Sequence, residues 1–558
     1  MEHVILVENI VNVDEMIKFL QPHDELALAH PNQAASSGVF PGMKEEWIAW
    51  ARASDDRWKV LVRAYQSPDE ICSEGLPPDL GAFIRIARSL GLPRHPFYIP
   101  NDNIPPDQVL RVSPKKLHEV FTMSSYIASL FVDLIQDQKL WIVDVGAGQG
   151  YLSRSLSAPP NNFHVLALDS NDNQTAGAMS RRDWLIDPKE TRSSDNRSNL
   201  VDDNPNDSPN ESGGVPISEA TGSLTHRTVH IGDNDSLFKG INQWIGDRRR
   251  GDVSGLDAPI PIVLVGLHCC GDLTPSVLRF IRQYRRNDQQ TSFRVVGCVI
   301  VGCCYNMCGP ASLPLSQKMT SAFSTTGSLS LETQHLHLAT QSPSTWDITT
   351  PVDRNPPGSP FSPDRRVTEL SPTALSIRKV AYRALLAKRL PLELRVENAS
   401  RSTPADNSEL GAMKEGFTTV NNLRDIDWRS KRIGRLANSA YVDFPTYLGE
   451  AKRKLKLDAK VNCDLKSDLN VEEQELCKVL EVFHVLRCFL GPVIESLIAL
   501  DRYWFLEETA EQDLVAETNN RGAESSEGRG TDGSVVQLVN LFDQSTGSLR
   551  NMALIWKE

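Results

Sequence analysis

The sequence lacks the features of a membrane protein and of a secreted one. No run of 18 or more apolar residues occurs, which predicts that no segment spans a membrane. The N-terminus, MEHVILVENIVNVDEMIKFL, is acidic and has no small-residue cleavage site, so a secretory signal is not expected. Ten cysteines among 558 residues are too few for a disulfide scaffold, and several are adjacent, as suits thiols in a reducing compartment. The sequence therefore predicts a cytoplasmic or nuclear protein with no membrane partner.

Net positive charge is also lacking. A formal net charge of −12 argues against bulk binding of nucleic acid. Basic residues nevertheless cluster at 248–250, 282–286 and 424–456. Several such clusters on one surface can hold a polyanion, although a charge cluster is more often a solvated face. Polar or proline-rich stretches, which have too few apolar residues to build a core, predict disorder at 191–214, 342–366 and 517–533.

Residues 113–156 predict a helix, a strand, a glycine turn and a second helix. Ser113 can cap the first helix, Pro114 suits its first turn, and apolar residues then recur at helical spacing. The stretch KLWIVDVGAGQGYLSRSL gives the buried strand and a turn with three glycines. The following apolar strand, HVLALD, ends in Asp169.

This strand, turn and helix fit a site for a nucleotide-type cofactor, because glycines let the backbone approach a ligand where a Cβ would clash. The spacing G-x-G-x-G, in place of the G-x-G-x-x-G of dinucleotide sites, favours S-adenosylmethionine. That cofactor has no phosphate, and its positively charged groups suit nearby carboxylates. The predicted cofactor-binding residues are Asp144, Gly146, Ala147, Gly148, Gln149, Gly150, Asp169, Asp233, Leu267 and His268.

Five more strands are predicted, and the last two form an antiparallel hairpin. They lie at 225–235, 259–268, 293–304, 535–543 and 550–557. The predicted fold class is therefore α/β, a seven-stranded Rossmann-like class I methyltransferase sheet. An N-terminal helical region precedes it, and a large helical insertion separates strands five and six.

The predicted domains follow from this order. Residues 1–110 form the N-terminal helical region, and residues 111–310 with 535–558 form the methyltransferase core, which contains a disordered insertion at 180–224. Residues 311–534 form the helical insertion. Its disordered segments are predicted at about 341–370, 400–415 and 512–533.

The stretch LVGLHCCGDL (264–273) ends the fourth strand and begins the loop after it. Ligands of open α/β sheets bind at the carboxyl ends of the strands, so these polar residues are expected at the active site. The Asp/Asn-Pro-Pro-Tyr loop of enzymes that methylate adenine amino groups is missing, which disfavours adenine N6 chemistry. Transfer to a hydroxyl needs a general base, for which His268 is the first candidate and Asp272 the second. Tyr305, after the fifth strand, is the third predicted catalytic residue.

The cysteines near this loop allow more than one interpretation. VGCCYNMC (301–308) ends the neighbouring strand, so two Cys-rich segments face one cleft. Zinc needs four ligands in a tetrahedron, but the adjacent cysteine pairs lack C-x-x-C spacing. We therefore predict no metal, and packing roles for Cys269, Cys298 and Cys303. The weaker alternative is a zinc ion held by His268, Cys270, Cys304 and Cys308.

Two lysines open the helix that precedes the glycine turn. Lys115 and Lys116 add unfavourable charge to the N-terminal end of the helix dipole, so a cofactor carboxylate or a substrate phosphate is expected to offset them. The plainer interpretation is a solvated first turn. The predicted substrate-binding residues are Lys115, Lys116 and His118.

Six motifs resemble those of the methyltransferase-like protein 25 family, also labelled ribosomal RNA adenine dimethylase domain-containing. They are VSPKKLHEV, VDVGAGQGYLS, GLHCCGDL, GCCYNM, LDRYWFLEE and FDQSTGSLRN. The resemblance covers most of the ordered chain from about residue 110 and implies a class I methyltransferase with a helical insertion. The chain departs from the family's pattern at Cys269, where a small or hydroxyl residue is expected, and at Leu549, where proline is expected. The adenine dimethylase label disagrees with the loop after strand four.

Three functions follow, in order of preference. The His-x-Cys-Gly loop and the Cys-Cys-Tyr loop are similar to those of a tRNA 2′-O-methyltransferase family, which implies an S-adenosylmethionine-dependent enzyme that acts on RNA. Net acidity also suits a methyltransferase that acts on a basic or translation-associated protein. The third function is a scaffold that binds S-adenosylmethionine without turnover. The expected partner is thus RNA or a protein substrate.

Overall fold

The computed structural model describes most of the chain. The described residues are 4–5, 12–68, 75–96, 112–136, 140–180, 222–232, 234–249, 259–285, 292–326, 329–348, 370–390, 433–455, 468–520, 534–546 and 548–558. The segments predicted to be disordered fall largely outside these residues.

The chain divides into two compact units, each built from segments that are far apart in the sequence. Unit 1 comprises Met1–Lys18, Leu90–Thr340 and Pro492–Glu558. Unit 2 comprises Phe19–Ser89 and Gln341–Gly491. This division differs from the predicted boundaries, because N-terminal helices and the middle of the predicted insertion share one apolar core. In that core the ring of Tyr65 stacks on the ring of Phe489, with centroids 4.5 Å apart.

Unit 1 is built on one mixed sheet. Its strands are β1 (Val4–Ile5), β2 (Trp141–Val145), β3 (His164–Asp169), β4 (Ser223–Thr228), β5 (Ile260–Cys270), β6 (Phe293–Cys303), β7 (Val535–Asn540) and β8 (Met552–Lys557). They lie in the order β1-β7-β8-β6-β5-β2-β3-β4. Strands β2 to β6 pair in parallel, and β8 runs antiparallel between β6 and β7. The seven-stranded Rossmann-like sheet is thus confirmed, and the two-residue β1 adds an unpredicted edge strand.

Strand β5 is longer than predicted. After a register shift, Cys269 and Cys270 pair with Gly302 and Cys303 of β6, so His268 lies inside the strand. Cys269 and Cys270, which the sequence placed in a loop, are therefore held by the backbone pairing of the sheet. The third predicted strand is shorter than expected: β4 has six residues and ends at Thr228, whereas the prediction ran to residue 235.

The helices in chain order are α1 (Val13–Leu20), α2 (Asp24–Leu28), α3 (Pro31–Ser37), α4 (Glu45–Arg52), α5 (Arg57–Gln66), α6 (Pro78–Ser89), α7 (Pro114–Leu130), α8 (Val132–Gln136), α9 (Tyr151–Ser157), α10 (Asp172–Ser180), α11 (Asn234–Arg249), α12 (Leu273–Arg285), α13 (Gln317–Thr326), α14 (Thr333–Leu338), α15 (Pro372–Arg389), α16 (Phe444–Leu455), α17 (Val471–Phe489) and α18 (Gly491–Asn520). The hydroxyl of Ser113 accepts from the Lys116 amide, so the predicted cap of α7 is confirmed. The segment Val471–Glu511 is long and apolar enough to cross a membrane, but 89% of its most apolar window is buried, as in the core helix of a globular protein.

The core of unit 1 places α7 against the sheet. Met123 and Ile127 of α7 are fully buried with Ile142 of β2 and Val263 of β5. Burial of each such side chain stabilises the fold by about 1.5–3 kcal/mol. The start of α7 is thereby held at the edge where the parallel strands end. Cys269 and Cys298 are also fully buried, which agrees with their predicted packing roles.

Candidate active site

Three glycines form the turn between β2 and α9. Gly146, Gly148 and Gly150 have φ angles of 72°, 53° and 69°, in the left-handed region that favours glycine. A Cβ at Gly146 would come within 2.9 Å of the Leu273 side chain, whereas a Cβ at Gly148 would enter open space. The turn therefore leaves an open cradle beside Gly148.

Hydrogen bonds tie this turn to the end of β3. The amides of Gly146 and Ala147 both donate to the Leu168 carbonyl at 2.9 Å. The amide of Gly148 donates to Oδ2 of Asp169 at 2.8 Å, and the amide of Asn171 donates to Oδ1 at 2.8 Å. Each carboxylate oxygen can accept more than one hydrogen bond, so Asp169 can still accept from a ligand hydroxyl.

Asp144 is a buried carboxyl group directly before the turn. It is 1% exposed, and the Ser153 hydroxyl donates to its Oδ2 at 2.5 Å. Burial raises the pKa of Asp144 to about 6; the charge of Asp169 adds to this rise and the Ser153 hydrogen bonds oppose it. Within the described residues Asp144 has no cationic partner, so a positively charged ligand in the cradle would stabilise its ionised form.

The other predicted cofactor-binding residues differ in their surroundings. The Gln149 side chain donates to Gln174, while its own Oε1 is buried and accepts no hydrogen bond from the described residues. Leu267 is 7% exposed, and Asp233 lies outside the described residues. The open cradle, the buried carboxyl and the unsatisfied amide oxygen together fit a cationic, hydroxyl-bearing cofactor such as S-adenosylmethionine.

Glu119 lies at the centre of a second cluster, on the buried face of α7. It is 1% exposed; its Oε2 lies 2.8 Å from Nζ of Lys116 and 3.2 Å from Nε2 of His268. Its Oε1 accepts a hydrogen bond from the Ser548 hydroxyl at 2.9 Å. Burial raises the pKa of Glu119, but the hydrogen bonds from His268 and Lys116 outweigh it and lower the pKa to about 2. Glu119 is therefore a buried anion that three side chains hold in place.

His268 connects this cluster to the carboxyl end of the sheet. Its side chain is 35% exposed, and Nε2 lies 2.8 Å from Nζ of Lys116. Nε2 therefore faces both an anion and an ammonium group: it donates to Oε2 of Glu119 in the tautomer that carries the ring proton there, and it accepts from Lys116 in the other tautomer. Nδ1 has no hydrogen-bond partner in the described part of the chain. In the tautomer that donates from Nε2 to Glu119, Nδ1 is the ring nitrogen that can act as a base.

The predicted substrate-binding residues have partners inside the protein. Lys116 pairs with Glu119, and Nζ of the half-exposed Lys115 lies 3.8 Å from the same carboxylate. Nε2 of His118 accepts from the Asp543 amide at 3.2 Å. The charge that offsets the two lysines is therefore that of Glu119, which corrects the argument from the helix dipole. A role for these residues in substrate binding stays a prediction.

Two predicted catalytic residues fix the turn after β6. Oδ1 of the exposed Asp272 accepts from the Gly309 amide at 2.8 Å and from the Ser312 hydroxyl. Tyr305 is 4% exposed, its hydroxyl lies 3.4 Å from Oε1 of Glu495, and burial, with the charge of Glu495, raises its pKa. Both residues position the loop here, and Tyr305 is buried against Glu495; a catalytic role for either residue stays a prediction.

Glu495 joins two buried arginines next to Tyr305. Its carboxylate lies 2.7 Å from Nη2 of Arg94 and 2.7 Å from Nη1 of Arg550. The sequence did not point to Glu495 or to Ser548, because nothing local links either residue to its partners. Glu119 did carry a signal: it is four and seven residues before Met123 and Tyr126, on the apolar face of α7.

The Cys-rich segments converge, but not in the predicted combination. The Sγ atoms of Cys270, Cys303 and Cys304 lie within 4.8 Å of one another. Cys308 contacts a guanidinium group instead, and His268 bonds to α7. Cys303, for which we predicted a packing role, belongs to the cluster. The hydrogen bond between Cys303 and Cys270 lowers the pKa of the Cys270 thiol, and this effect outweighs burial, which raises the pKa.

Comparisons with known proteins agree with this site. A family profile described as a methyltransferase domain matches residues 115–309, which contain the start of α7, the glycine turn, His268 and the Cys-rich turn. The chain is similar to "Probable methyltransferase-like protein 25" of Mus musculus, with 23% identity over 492 residues that cover 73% of this chain and 71% of that protein. No solved structure matches the chain.

Proposed function

We propose that this protein, which is a class I S-adenosylmethionine-dependent methyltransferase similar to methyltransferase-like protein 25, transfers the methyl group to a hydroxyl of RNA. One observation carries the proposal. His268 is held through Nε2 by the buried carboxylate of Glu119 at the carboxyl end of β5. This arrangement gives the site a general base, which a hydroxyl acceptor requires.

The residues of unit 1 divide the chemistry between two clusters. S-adenosylmethionine, when bound, supplies an electrophilic methyl group on a positively charged sulfur. Asp144, Asp169 and the turn at Gly148 would hold it, and the buried carboxyl would offset its positive charge. Nδ1 of His268 accepts the proton that the acceptor hydroxyl loses. Glu119 stabilises the resulting imidazolium and fixes the orientation of the ring.

A group of basic residues in unit 2 supports the proposal that the substrate is a polyanion. We define its basic surface as Lys379, Arg383, Arg435 and Lys454. In the described part of the chain, none of these four cations pairs with a carboxylate, and Lys379, Arg383 and Lys454 donate to neutral oxygen atoms. Burial lowers the pKa of Lys379, and the charges of Arg383 and Arg435 lower it further, so the cations lie close together. Such a surface gains free energy when it neutralises phosphates.

Methyl label is expected to enter RNA when the purified protein is added to an extract that lacks it. Wild type and the His268→Ala and Asp144→Ala variants are incubated in parallel with methyl-labelled S-adenosylmethionine. Label that ribonuclease removes and protease does not, absent with both variants, would support the proposal. Recovery of the label in alkali-resistant dinucleotides would identify a ribose hydroxyl as the acceptor, because a 2′-O-methyl group blocks alkaline cleavage.

The other outcomes of this experiment overturn the proposal in distinct ways. Label removed only by protease would identify a protein methyltransferase. Label in an RNA base would exclude the hydroxyl mechanism. Binding of the cofactor by wild type without label above that of the Asp144→Ala variant would indicate a scaffold.

The stability of the cofactor-free protein is expected to depend on pH through Asp144. Its pKa is about 6 in the folded protein and 3.8 as the ordinary value, so this group favours folding below pH 4, and its contribution is lost as the pH rises through 6. The Asp144→Asn variant has no such group. The free energy of unfolding of Asp144→Asn relative to wild type should therefore increase by about 2 kcal/mol between pH 4 and pH 7.

Denaturant unfolding of both proteins at several pH values measures this difference. Ser153→Ala is the matched control: it removes a hydrogen bond that lowers the pKa of Asp144, so its own difference from wild type should change with pH in the opposite direction. A difference between Asp144→Asn and wild type that is constant from pH 4 to pH 7 would show that Asp144 titrates normally.

A further inference from the structure

We propose that Cys270, Cys303 and Cys304 bind a zinc ion at the carboxyl ends of β5 and β6. Their three Sγ atoms lie within 4.8 Å of one another, and those of Cys270 and Cys303 are 3.3 Å apart. A zinc–thiolate bond of about 2.3 Å places the sulfurs of a tetrahedral site about 3.8 Å apart. Small side-chain rotations therefore bring the cluster to that geometry.

The backbone explains how two adjacent cysteines reach one point. Neighbouring residues of a strand point to opposite faces, so Cys304 would be expected to point away from Cys303. Cys304 instead has φ of 51° and ψ of 44°, a left-handed conformation that breaks this alternation directly after β6. Non-glycine residues rarely adopt this conformation, and such outliers concentrate at functional sites.

A buried arginine beside the cluster supports an anionic group there. Arg502 is 5% exposed and has no carboxylate partner in the described part of the chain. Its Nε has no hydrogen-bond acceptor in the described residues, its Nη2 contacts the Sγ of Cys308 at 3.8 Å, and its guanidinium group lies over the Tyr305 ring, 5.1 Å from the centroid, so no anion offsets its charge. Its Nη1 lies close to Gly302, where a Cβ would approach within 2.5 Å. Buried charges are normally paired, and a zinc ion with three thiolates carries one negative charge.

The donor set selects the ion. Soft thiolate ligands favour zinc, copper(I) and iron–sulfur clusters, and such clusters usually use four cysteines. Three thiols lose three protons on binding zinc, and the fourth position remains open for water or another ligand on the side of the solvent-exposed Cys270. His268 and Cys308, two of the four ligands of the alternative read from the sequence, are not part of this set.

The zinc content of the purified full-length protein tests the proposal without any activity assay. Elemental analysis should find about one zinc ion per wild-type chain, and Cys270→Ser or Cys304→Ser should each lower this content by at least about tenfold. Cobalt(II) in place of zinc should give a thiolate charge-transfer band that the same variants lose. Cys298→Ser, a buried cysteine of β6 outside the cluster, should keep both the metal and the band.

Several results would overturn the proposal. Zinc that is absent from wild type, or that both cluster variants retain, would exclude this site. Loss of zinc in His268→Ala or Cys308→Ser, with the melting temperature unchanged, would show a different ligand set. If the cluster bound copper(I) and not zinc, the proposed identity of the ion would be wrong. Alkylation under denaturing, non-reducing conditions should label all ten cysteines, and a Cys270–Cys303 disulfide would contradict a metal site.

Discussion

Glutamine in place of Glu119 is expected to lower kcat by about 10²- to 10⁴-fold, the range that a positioned general base contributes. The carboxylate accepts hydrogen bonds from His268 and Lys116 through one oxygen, and from Ser548 through the other. A neutral amide has one acceptor oxygen for three donors and cannot stabilise a protonated imidazole. KM for the methyl acceptor and the affinity for S-adenosylmethionine should change only a few-fold, because neither is expected to contact Glu119.

Initial rates of label transfer at saturating cofactor measure this effect. Ser548→Ala is the matched control, since it removes the hydrogen bond to Oε1 and leaves Oε2 with His268. It should retain most of kcat. The double variant Glu119→Gln/His268→Ala should be no slower than His268→Ala alone, because Glu119 acts through the imidazole. Multiplied losses, or equal losses in Glu119→Gln and Ser548→Ala, would assign Glu119 a structural role.

The sheet was predictable because its signals are local. Apolar runs such as HVLALD, the glycines after β2 and the STGS turn between β7 and β8 each lie within a few residues of the element that they define. Strand β1 has only two residues, too few to show the alternation of apolar and polar residues that predicts a strand. Only its pairing with β7 makes it a strand. The same limit applies to the end of β5, where pairing with β6 carries the strand past His268.

The site was predictable only in part, since its partners are distant in the sequence. His268 and Ser548 lie 149 and 429 residues after Glu119, and no spacing links them. Cys303 was assigned to packing because the adjacent cysteine pairs lack the C-x-x-C spacing of zinc sites. The left-handed backbone at Cys304 has no sequence signature, because the residue is not glycine. The sequence therefore predicted where single functional groups lie along the chain, but not which of them contact one another in the fold.

Replacement of Glu495 by alanine is expected to destabilise unit 1 by about 3–5 kcal/mol, the usual cost of removing one partner from a buried ion pair. The carboxylate is 4% exposed and lies between the guanidinium groups of Arg94 and Arg550, each 12% exposed. Without it, two buried cations would face each other without compensation. Total stabilities are about 5–15 kcal/mol, so a loss of this size should be visible as a much lower melting temperature or a poor soluble yield.

Asp79→Ala is the matched control for this loss. Asp79 pairs with Lys44 in unit 2, but both side chains are more than half exposed, so its removal should cost no more than about 1 kcal/mol. The double variant Glu495→Ala/Arg94→Met should recover part of the lost stability, because it removes one of the uncompensated charges. A melting temperature equal to that of Asp79→Ala would show that the two arginines find other partners.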